Sequence, residues 1–139
     1  MLFPKKVKYR KWQTDRVNPK KKSVATRGTK LSFGSFGLKA ISSKRVRSNQ
    51  IEAARRALSR AVTKNGKVWV RIFPDRPYTA KPAEVGMGKG KGDLQGYEVQ
   101  ILPGRVLFEV DGISEASARE ALRKAGSKLP VKSKVVART

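Results

Sequence analysis

The stretch that decides the fold runs from residue 48 to residue 73 and reads SNQIEAARRALSRAVTKNGKVWVRIF. Apolar residues recur in its first part at helical spacing, which predicts a helix over residues 48–65 with Ser48 as N-cap and Gly66 as the stop. The buried stripe of this helix is expected to comprise Ile51, Ala54, Leu58, Ala61 and Val62. The second part, residues 67–73, alternates apolar and polar positions and predicts a strand.

The segments on either side of this stretch supply further strands. Residues 31–41 alternate briefly before glycines interrupt them, which predicts a short irregular strand pair or a bulged strand. Residues 96–102 and 105–110 alternate on either side of Pro103-Gly104 and predict a hairpin. A last strand is predicted within residues 131–136.

A second helix is predicted from Ser114, its N-cap, to about Ala125, with a buried stripe of Ala118, Ala121, Leu122 and Ala125. Together the elements predict an α+β fold, a two-layer sandwich in which a mixed, mainly antiparallel sheet carries two helices on one face. Residues 1–30 are expected to form an extended basic arm, and residues 31–139 the globular α/β sandwich domain. Within that domain, residues 74–95 are expected to form a long, protruding, Gly-rich loop.

The charge of the chain restricts its partners more than any other property. The sequence holds 33 Lys and Arg against 10 Asp and Glu, a formal net charge of +23 in 139 residues. Such a chain repels itself when it folds alone, so it needs a polyanion. Nucleic acid, an anionic membrane and an acidic protein are the candidates, and cations that neutralise phosphates give nucleic-acid affinity that depends on salt.

Several classes of function are excluded by residues that the sequence lacks. Without Cys or His, there can be no disulfide, no thiolate or imidazole metal site and no histidine general base. No run of about 18 apolar residues could span a membrane. Three carboxylates in one loop, Asp75, Glu84 and Asp93, could bind Mg²⁺, but the loop lacks rigid spacing for it. We expect no enzyme, no cofactor, no catalytic residue and no metal site.

The first 30 residues combine cations with aromatic rings. They hold eleven basic residues and one acid, and prolines interrupt any helix, so the segment is expected to be disordered off its partner. Phe3, Tyr9 and Trp12 are interleaved with the cations, a combination that suits RNA because rings stack on bases while cations meet phosphates. The alternative is that these rings pack on the core of the protein itself.

A glycine-lysine loop is the most distinctive short motif, and residues 86–92 read GMGKGKG. Neither the P-loop spacing nor the dinucleotide-binding fingerprint fits it. Its glycines let backbone amides approach a phosphate chain closely, and Lys89 and Lys91 add charge. The motif predicts a finger that enters a crowded polyanionic site, with an ordinary flexible tip as the alternative.

Two competing polyanion partners fit the sequence less well than structured RNA. A sequence-specific DNA reader of the helix-turn-helix type needs two adjacent helices, but the predicted helices lie about fifty residues apart and strands separate them. A membrane-surface helix needs large apolar residues, whereas the first helix is rich in alanine. Structured RNA is therefore the predicted partner.

Seven segments carry a resemblance to a known family. The chain resembles the bacterial and organellar form of the universal large-subunit ribosomal protein number sixteen along essentially its whole length. The resemblance rests on MLFPKKVKYRK, FGSFGLKA, NQIEAARRALSRAV, GKVWVRIFPDRPYTAKP, MGKGKG, PGRVLFEVDG and KLPVKSK, which occur here in this order.

The resemblance implies a structural constituent of the large ribosomal subunit with a two-layer α/β fold. It implies binding to 23S ribosomal RNA near the peptidyl-transferase region, contact with A-site transfer RNA, and a part in late subunit assembly and A-site positioning. P-site transfer RNA, 5S ribosomal RNA and neighbouring large-subunit proteins are further candidate partners, and neither a membrane nor a homo-oligomer is expected. The expected location is the cytoplasmic ribosome, with an organellar ribosome as the alternative.

The expected site residues follow from charge, ring character and the family motifs. Those expected to bind ribosomal RNA are Lys5, Lys6, Lys8, Tyr9, Arg10, Lys11, Arg16, Lys20, Lys21, Lys22, Arg55, Arg56, Arg60, Lys64, Arg71 and Arg76. Those expected beside the transfer RNA are Met87, Gly88, Lys89, Gly90 and Lys91.

Two departures from the family stand out. Gly86 replaces an arginine that is common there, and Gly96 with Tyr97 replaces an adjacent Tyr and Trp, which predicts looser packing at the base of the loop.

Overall fold

A computed structural model describes residues 1–14, 20–62, 65–86, 88 and 90–138 of the chain. These residues form seven strands and two helices, namely β1 (Phe36–Ala40), β2 (Lys44–Arg47), α1 (Ser48–Ala61), β3 (Lys67–Val70), β4 (Arg76–Ala80), β5 (Asp93–Ile101), β6 (Val106–Asp111), α2 (Glu115–Gly126) and β7 (Ser133–Ala137). The strands form a four-stranded sheet in the order β3-β6-β1-β7 and a three-stranded sheet in the order β2-β5-β4. The predicted α+β sandwich is confirmed, with its strands divided between two sheets.

The predicted hairpin around Pro103-Gly104 is wrong, because its two strands belong to different sheets. Gly104 has a φ of +98°, which a glycine adopts readily. Its amide donates to the carbonyl of Ala40 at 2.8 Å, and the amide of Ala40 donates to the carbonyl of Arg105 at 2.9 Å. The turn is therefore bonded to the end of β1, and the chain passes here from the three-stranded to the four-stranded sheet.

The region predicted as a long loop, residues 74–95, contains β4 and the start of β5, which pair in an antiparallel ladder from Arg76–Glu98 to Ala80–Asp93. β4 was not predicted because it contains Pro77. Proline is disfavoured in central strands but tolerated in edge strands. β4 is an edge strand. The irregular tip is thereby reduced to residues 81–92.

The remaining strand predictions are mostly confirmed. β1 is a single bulged strand, since its register against β6 shifts between Leu38 and Lys39. β3 ends at Val70, three residues before the predicted end, and β7 runs one residue beyond its predicted range. β2 was not predicted. It is only four residues long and buries one of them, Val46, so its apolar pattern is too short to recognise.

α1 is confirmed, but both of its predicted ends are wrong. The N-cap is Arg47, whose amide donates to Oε1 of Gln50 at 2.9 Å, and Ser48 is already helical. The helix ends at Ala61, which is exposed although the stripe placed it inside. The chain leaves the helix at Val62, whose ψ of 127° is extended. A Cβ on Gly66 would lie 2.2 Å from the Val62 side chain, so the glycine permits this close return.

α2 matches the predicted stripe and its predicted end to within one residue. The Ser114 hydroxyl accepts a hydrogen bond from the Ser117 amide at 3.3 Å, as expected of an N-cap. All four residues of the predicted stripe are buried. Both helices pack on one face of the four-stranded sheet, against side chains that include Leu38, Phe108 and Val110. This is the hydrophobic core, and α1 also contacts β2 and β5 of the second sheet.

The opposite face of the four-stranded sheet is held by a buried carboxylate, Glu109, whose residue is 0% exposed. Its Oε1 accepts hydrogen bonds from three consecutive amides, those of Ser32, Phe33 and Gly34, at 2.9, 3.0 and 3.1 Å. Its Oε2 accepts a hydrogen bond from the guanidinium of Arg71. One side chain of β6 therefore fixes both the segment before β1 and the residue that follows β3.

Ionisation of Glu109 is favoured by these donors. Burial by itself raises the pKa of Glu109, but the hydrogen bonds from Arg71 and from the amides of Phe33, Gly34 and Ser32 together lower this pKa below the ordinary value of a glutamate. The carboxylate is consequently charged at neutral pH and compensates the Arg71 guanidinium.

Replacing Glu109 with glutamine should destabilise the fold. Glu109→Gln leaves Arg71 without its counter-charge and presents an amide NH₂ to groups that are themselves donors. We expect a loss of roughly 2–4 kcal/mol in the free energy of unfolding, measured by urea titration. This is less than the roughly 3–5 kcal/mol for breaking a fully buried ion pair, because the Arg71 side chain is 18% exposed. Glu120→Gln is the matched control, because Glu120 pairs with Arg123 on the exposed face of α2. Equal urea midpoints for wild type and Glu109→Gln would contradict this account.

The same ion pair predicts how stability depends on pH. Because the folded-state pKa of Glu109 lies below its unfolded-state pKa, the ionised carboxylate stabilises the fold above about pH 4.3, and this contribution is lost as the pH falls through the folded-state pKa. The difference in unfolding free energy between wild type and Glu109→Gln should be constant from roughly pH 5 to 7 and shrink below about pH 4. A difference that stays constant to about pH 2 would show that Glu109 does not carry it.

Candidate nucleic-acid interface

The basic arm has neither helix nor strand among its described residues and is fastened to the domain at three places. The carbonyl of Leu2 accepts a hydrogen bond from the Ser48 hydroxyl at 2.6 Å. The carbonyl of Gln13 accepts one from the Arg76 guanidinium at 2.6 Å. Near residue 30, the Ala25 amide donates to Pro103 and the Gly28 carbonyl accepts from Val106. The arm therefore follows the domain surface, and its disorder in the free protein stays a prediction.

Most cations of the arm point away from the domain. Of the arm cations predicted to bind RNA, Lys11 is half-buried. The others that the structure describes are exposed, namely Lys5, Lys6, Lys8, Arg10, Lys20, Lys21 and Lys22. Arg16 lies outside the described residues. Phe3 and Tyr9 are 64% and 62% exposed, so these two rings do not pack on the core. The arm thus presents charge and rings together, as a partner with phosphates and bases requires.

Trp12 joins the arm to the second sheet. The Arg76 guanidinium lies 5.6 Å from the centre of the Trp12 ring, while the Trp12 carbonyl accepts a hydrogen bond from the Lys91 ammonium. Arg76 itself is only 7% exposed. Its contacts, like those of Arg71 with Glu109, serve the protein internally, and a role of either side chain in RNA binding stays a prediction.

The outer face of the three-stranded sheet adds two cations that the sequence analysis missed, Arg45 and Arg47. The Arg47 guanidinium lies 4.7 Å from the centre of the Tyr78 ring, and Arg45 lies 3.9 Å from the carboxylate of Glu98. Both arginines come from the run KRVR, in which cations alternate with Val46. This alternation is consistent with a strand that has one charged face, but four residues are too few to predict it.

The face of α1 is less uniformly positive than its sequence suggests. Glu52 accepts hydrogen bonds from Arg55 at 3.0 Å and from Arg56 at 3.3 Å. The hydrogen bond from Arg55 lowers the pKa of Glu52 to about 2, with a smaller contribution from the charge of Arg56. Arg60 is exposed, with no carboxylate partner among the described residues. Lys64 lies outside them.

The glycine-lysine loop is open at its tip. A Cβ placed on Gly86, Gly88 or Gly90 would meet nothing within 4 Å. Gly88 and Gly90 have φ values of +98° and +92°, which other residues rarely adopt. The carbonyl of Gly88 accepts a hydrogen bond from Lys81. Met87 and Lys89, two of the residues called for this site, lie outside the described residues.

The base of the loop is covered, although looser packing was predicted there. A Cβ on Gly96 would lie 3.0 Å from the Tyr78 ring, so that ring lies directly against the glycine. Arg47 lies over the same ring. The space that a larger residue at position 96 would occupy is therefore filled from the neighbouring strand.

Other kinds of site find no support in the described part of the chain. Its carboxylates form no group of three that could hold a metal ion, and this includes the loop acids considered above. None of its helices is long and apolar enough to cross a membrane. The features best suited to an anionic ligand are the basic surfaces of the arm, α1, the second sheet and the loop.

The comparisons with known proteins agree with one another. Residues 4–136 match the family model described as ribosomal protein L16p/L10e. The large ribosomal subunit protein uL16 of Halorhodospira halophila (strain DSM 244 / SL1) is 54% identical over 139 residues, which cover 100% of this chain and 98% of the relative. Those of Chelativorans sp. (strain BNC1) and Azobacteroides pseudotrichonymphae genomovar. CFP2 are 50% and 54% identical over 99% of this chain and 98% and 94% of the relatives. The chain belongs to the ribosomal protein L16p/L10e family.

Proposed function

We propose that the chain binds 23S ribosomal RNA through its arm and the face of α1, and that its glycine-lysine loop contacts A-site transfer RNA. As a member of its family the chain is a structural constituent of the large ribosomal subunit and not an enzyme. The observation that carries the proposal is the arm, whose exposed cations alternate with exposed rings. A role in late subunit assembly and in A-site positioning belongs to the same proposal.

The arm supplies the main RNA contact. Between the anchors at Leu2 and Gln13, the chain presents Lys5, Lys6, Lys8, Arg10 and Lys11, together with the exposed ring of Tyr9. The described residues offer these cations no carboxylate within ion-pair distance. Their charge is therefore left for phosphates, and each neutralised phosphate releases counterions that favour binding.

The second contact comes from the domain. Arg56 and Arg60 are exposed on α1, close in sequence to Ser48, which holds the beginning of the arm. The arm is thus fastened at the first residue of α1, the helix that carries these arginines, and basic groups in two places suit a folded RNA whose phosphates approach from several directions.

The loop is the part suited to transfer RNA. Its tip has no neighbouring atoms around three glycines, so a nucleotide backbone could approach the amides closely. The β4–β5 ladder supports it, and Lys91 links it to the arm. Contact with P-site transfer RNA, 5S ribosomal RNA or neighbouring large-subunit proteins would extend the same proposal.

RNA binding should depend steeply on salt. With five arm cations on phosphates, the slope of log K against log salt should be about −4 or steeper, because each phosphate contributes roughly −0.7 to −0.9. Filter binding of the whole protein to 23S fragments between roughly 0.05 and 0.5 M salt measures this slope. Lys5→Ala with Lys6→Ala should reduce the slope by about 1.5 to 2, whereas Lys128→Ala, on the surface beyond α2, should not.

Two results would contradict the RNA-binding proposal. One is equal affinity at low and high salt, and the other is failure of the protein to co-sediment with large subunits that lack it. Co-sedimentation that survives a moderate salt wash is the expected result, because many contacts must be released together.

Removing the charge of the loop should weaken A-site binding without blocking assembly. Lys89→Ala with Lys91→Ala removes two cations near the transfer RNA, so the affinity of finished ribosomes for A-site transfer RNA should fall about tenfold. Lys128→Ala with Lys132→Ala is the control for lost charge elsewhere. An assembly arrest accompanied by normal A-site affinity in the completed subunits would overturn the assignment of the loop.

A further inference from the structure

A pair of aromatic rings lies on the face of the four-stranded sheet that the helices leave uncovered. Phe33 stacks on Trp69 with ring centres 5.9 Å apart and an angle of 18° between the planes. The Arg71 guanidinium also approaches the Phe33 ring, at 5.2 Å from its centre. Trp69 and Arg71 project from the same side of one extended segment, so both meet Phe33 from the sheet side. Phe33 nevertheless remains 53% exposed, which leaves its outer side accessible.

A cleft of about 500 Å³ is lined in part by residues 29–31, in the segment that leads to Phe33, and its charged walls are all positive. The cations are Lys30, Lys39 and Arg138, and the other walls come from Thr29, Leu31, Val136 and Ala137. The ammonium groups of Lys30 and Lys39 have no hydrogen-bond or ion-pair partner among the described residues. An anion is therefore the ligand that the cleft fits.

The carboxylates of this face are already engaged. Glu109 is bonded to three amides and to Arg71. Asp111 accepts a hydrogen bond from the Ser35 hydroxyl at 2.8 Å and another from the Gly112 amide. Neither carboxylate lines the cleft. Asp111 attracts Arg138 electrostatically, so Lys30 and Lys39 carry the positive charge of the cleft that these acids leave uncompensated.

The cleft and the exposed ring share one wall. Residues 29–31 line the cleft, and Phe33 follows two residues later in the same segment. Arg138 donates from its side chain to the Ser32 carbonyl at 2.9 Å and from its amide to the Ser35 carbonyl at 2.8 Å. The three amides on Glu109 hold this segment in place. The fixed segment thus connects the cleft, through Lys30 and the bond to Arg138, with the exposed ring of Phe33.

We propose that this surface binds one unpaired nucleotide of ribosomal RNA, with its phosphate in the Lys30–Lys39–Arg138 cleft and its base stacked on Phe33. The inference rests on the proposed function and adds to it a site on the sheet face, remote in sequence from the loop and from α1. An unpaired nucleotide fits better than a duplex, because the face of a base is accessible for stacking only when the base is out of the helix.

The test compares two RNA hairpins that differ only in one bulged 2-aminopurine, whose fluorescence falls when it stacks. The whole protein is used, with the variants Phe33→Leu, which keeps an apolar side chain but removes the ring, and Lys39→Ala. Phe73→Leu and Lys128→Ala are the matched controls, since Phe73 is another exposed ring and Lys128 another exposed lysine.

Wild type should quench the bulged probe and bind it on the order of tenfold more tightly than the unbulged hairpin. Phe33→Leu should abolish both effects and leave affinity for the unbulged hairpin unchanged. Lys39→Ala should weaken binding of the bulged probe by about threefold to tenfold and lower its salt slope by about 0.7, the value for one single-stranded phosphate. Both control variants should behave as wild type.

The other outcomes can be told apart from one another. Equal quenching by wild type and Phe33→Leu shows that the base does not stack there. Binding of an acidic peptide in competition with the bulged probe, lost in Lys39→Ala, would assign the cleft to a protein partner. Failure to bind either hairpin would count against the proposed function instead. If circular dichroism shows Phe33→Leu to be unfolded, the Lys39→Ala variant, which keeps the Phe33 ring, still tests whether the cleft binds the phosphate.

Discussion

The buried carboxylate of Glu109 is the constraint on which the arrangement of this molecule depends. It lies on a central strand and faces away from the helices, so the sheet needs a second covering there. Three amides and one guanidinium supply its hydrogen bonds, and in doing so they fasten residues 32–34 across the sheet. The Leu31 side chain can then pack directly against Gly37, since a Cβ added to Gly37 would lie only 2.3 Å from it. The hydrogen bonds to Glu109 therefore help to position the end of the arm, the ring of Phe33 and the cleft.

The excess of positive charge is divided between two tasks. Arg71 and Arg76 are largely buried and hold parts of the fold together, the first through Glu109 and the second through the arm. Among the described residues, no carboxylate partner is found for Arg60, for the lysines of the cleft or for the arm cations between Leu2 and Gln13. Because 10 acids face 33 cations and several of the acids are engaged within the fold, the remaining positive charge must be compensated from outside the protein.

The sequence predicted the parts of the structure that depend on local pattern. α2, its cap and its stripe follow from periodicity alone, and so does the fold class. The division into two sheets could not be predicted, because strand pairing depends on long-range contacts such as the bond from the Gly104 amide to the Ala40 carbonyl. Glu109 alternates with apolar residues as a solvent-facing residue would, so its burial was invisible. For the candidate site, the basic arm could be recognised from composition. The internal roles of Arg71 and Arg76, and the position of Arg47 over the Tyr78 ring, could not be predicted without knowing which strands are neighbours.

The fastening of the arm has a topological consequence. A basic tail with a free end can be passed through a gap between two RNA helices, but a span held at Leu2 and again at Gln13 is a closed loop. Such a loop can only be laid into a groove that is open on one side, and its eleven peptide links limit its extended length to about 40 Å. Insertion between helices that have already closed would require the Leu2 contact to open first. That contact comprises both the hydrogen bond from the Ser48 hydroxyl and the packing of the Leu2 side chain against the hydrophobic core.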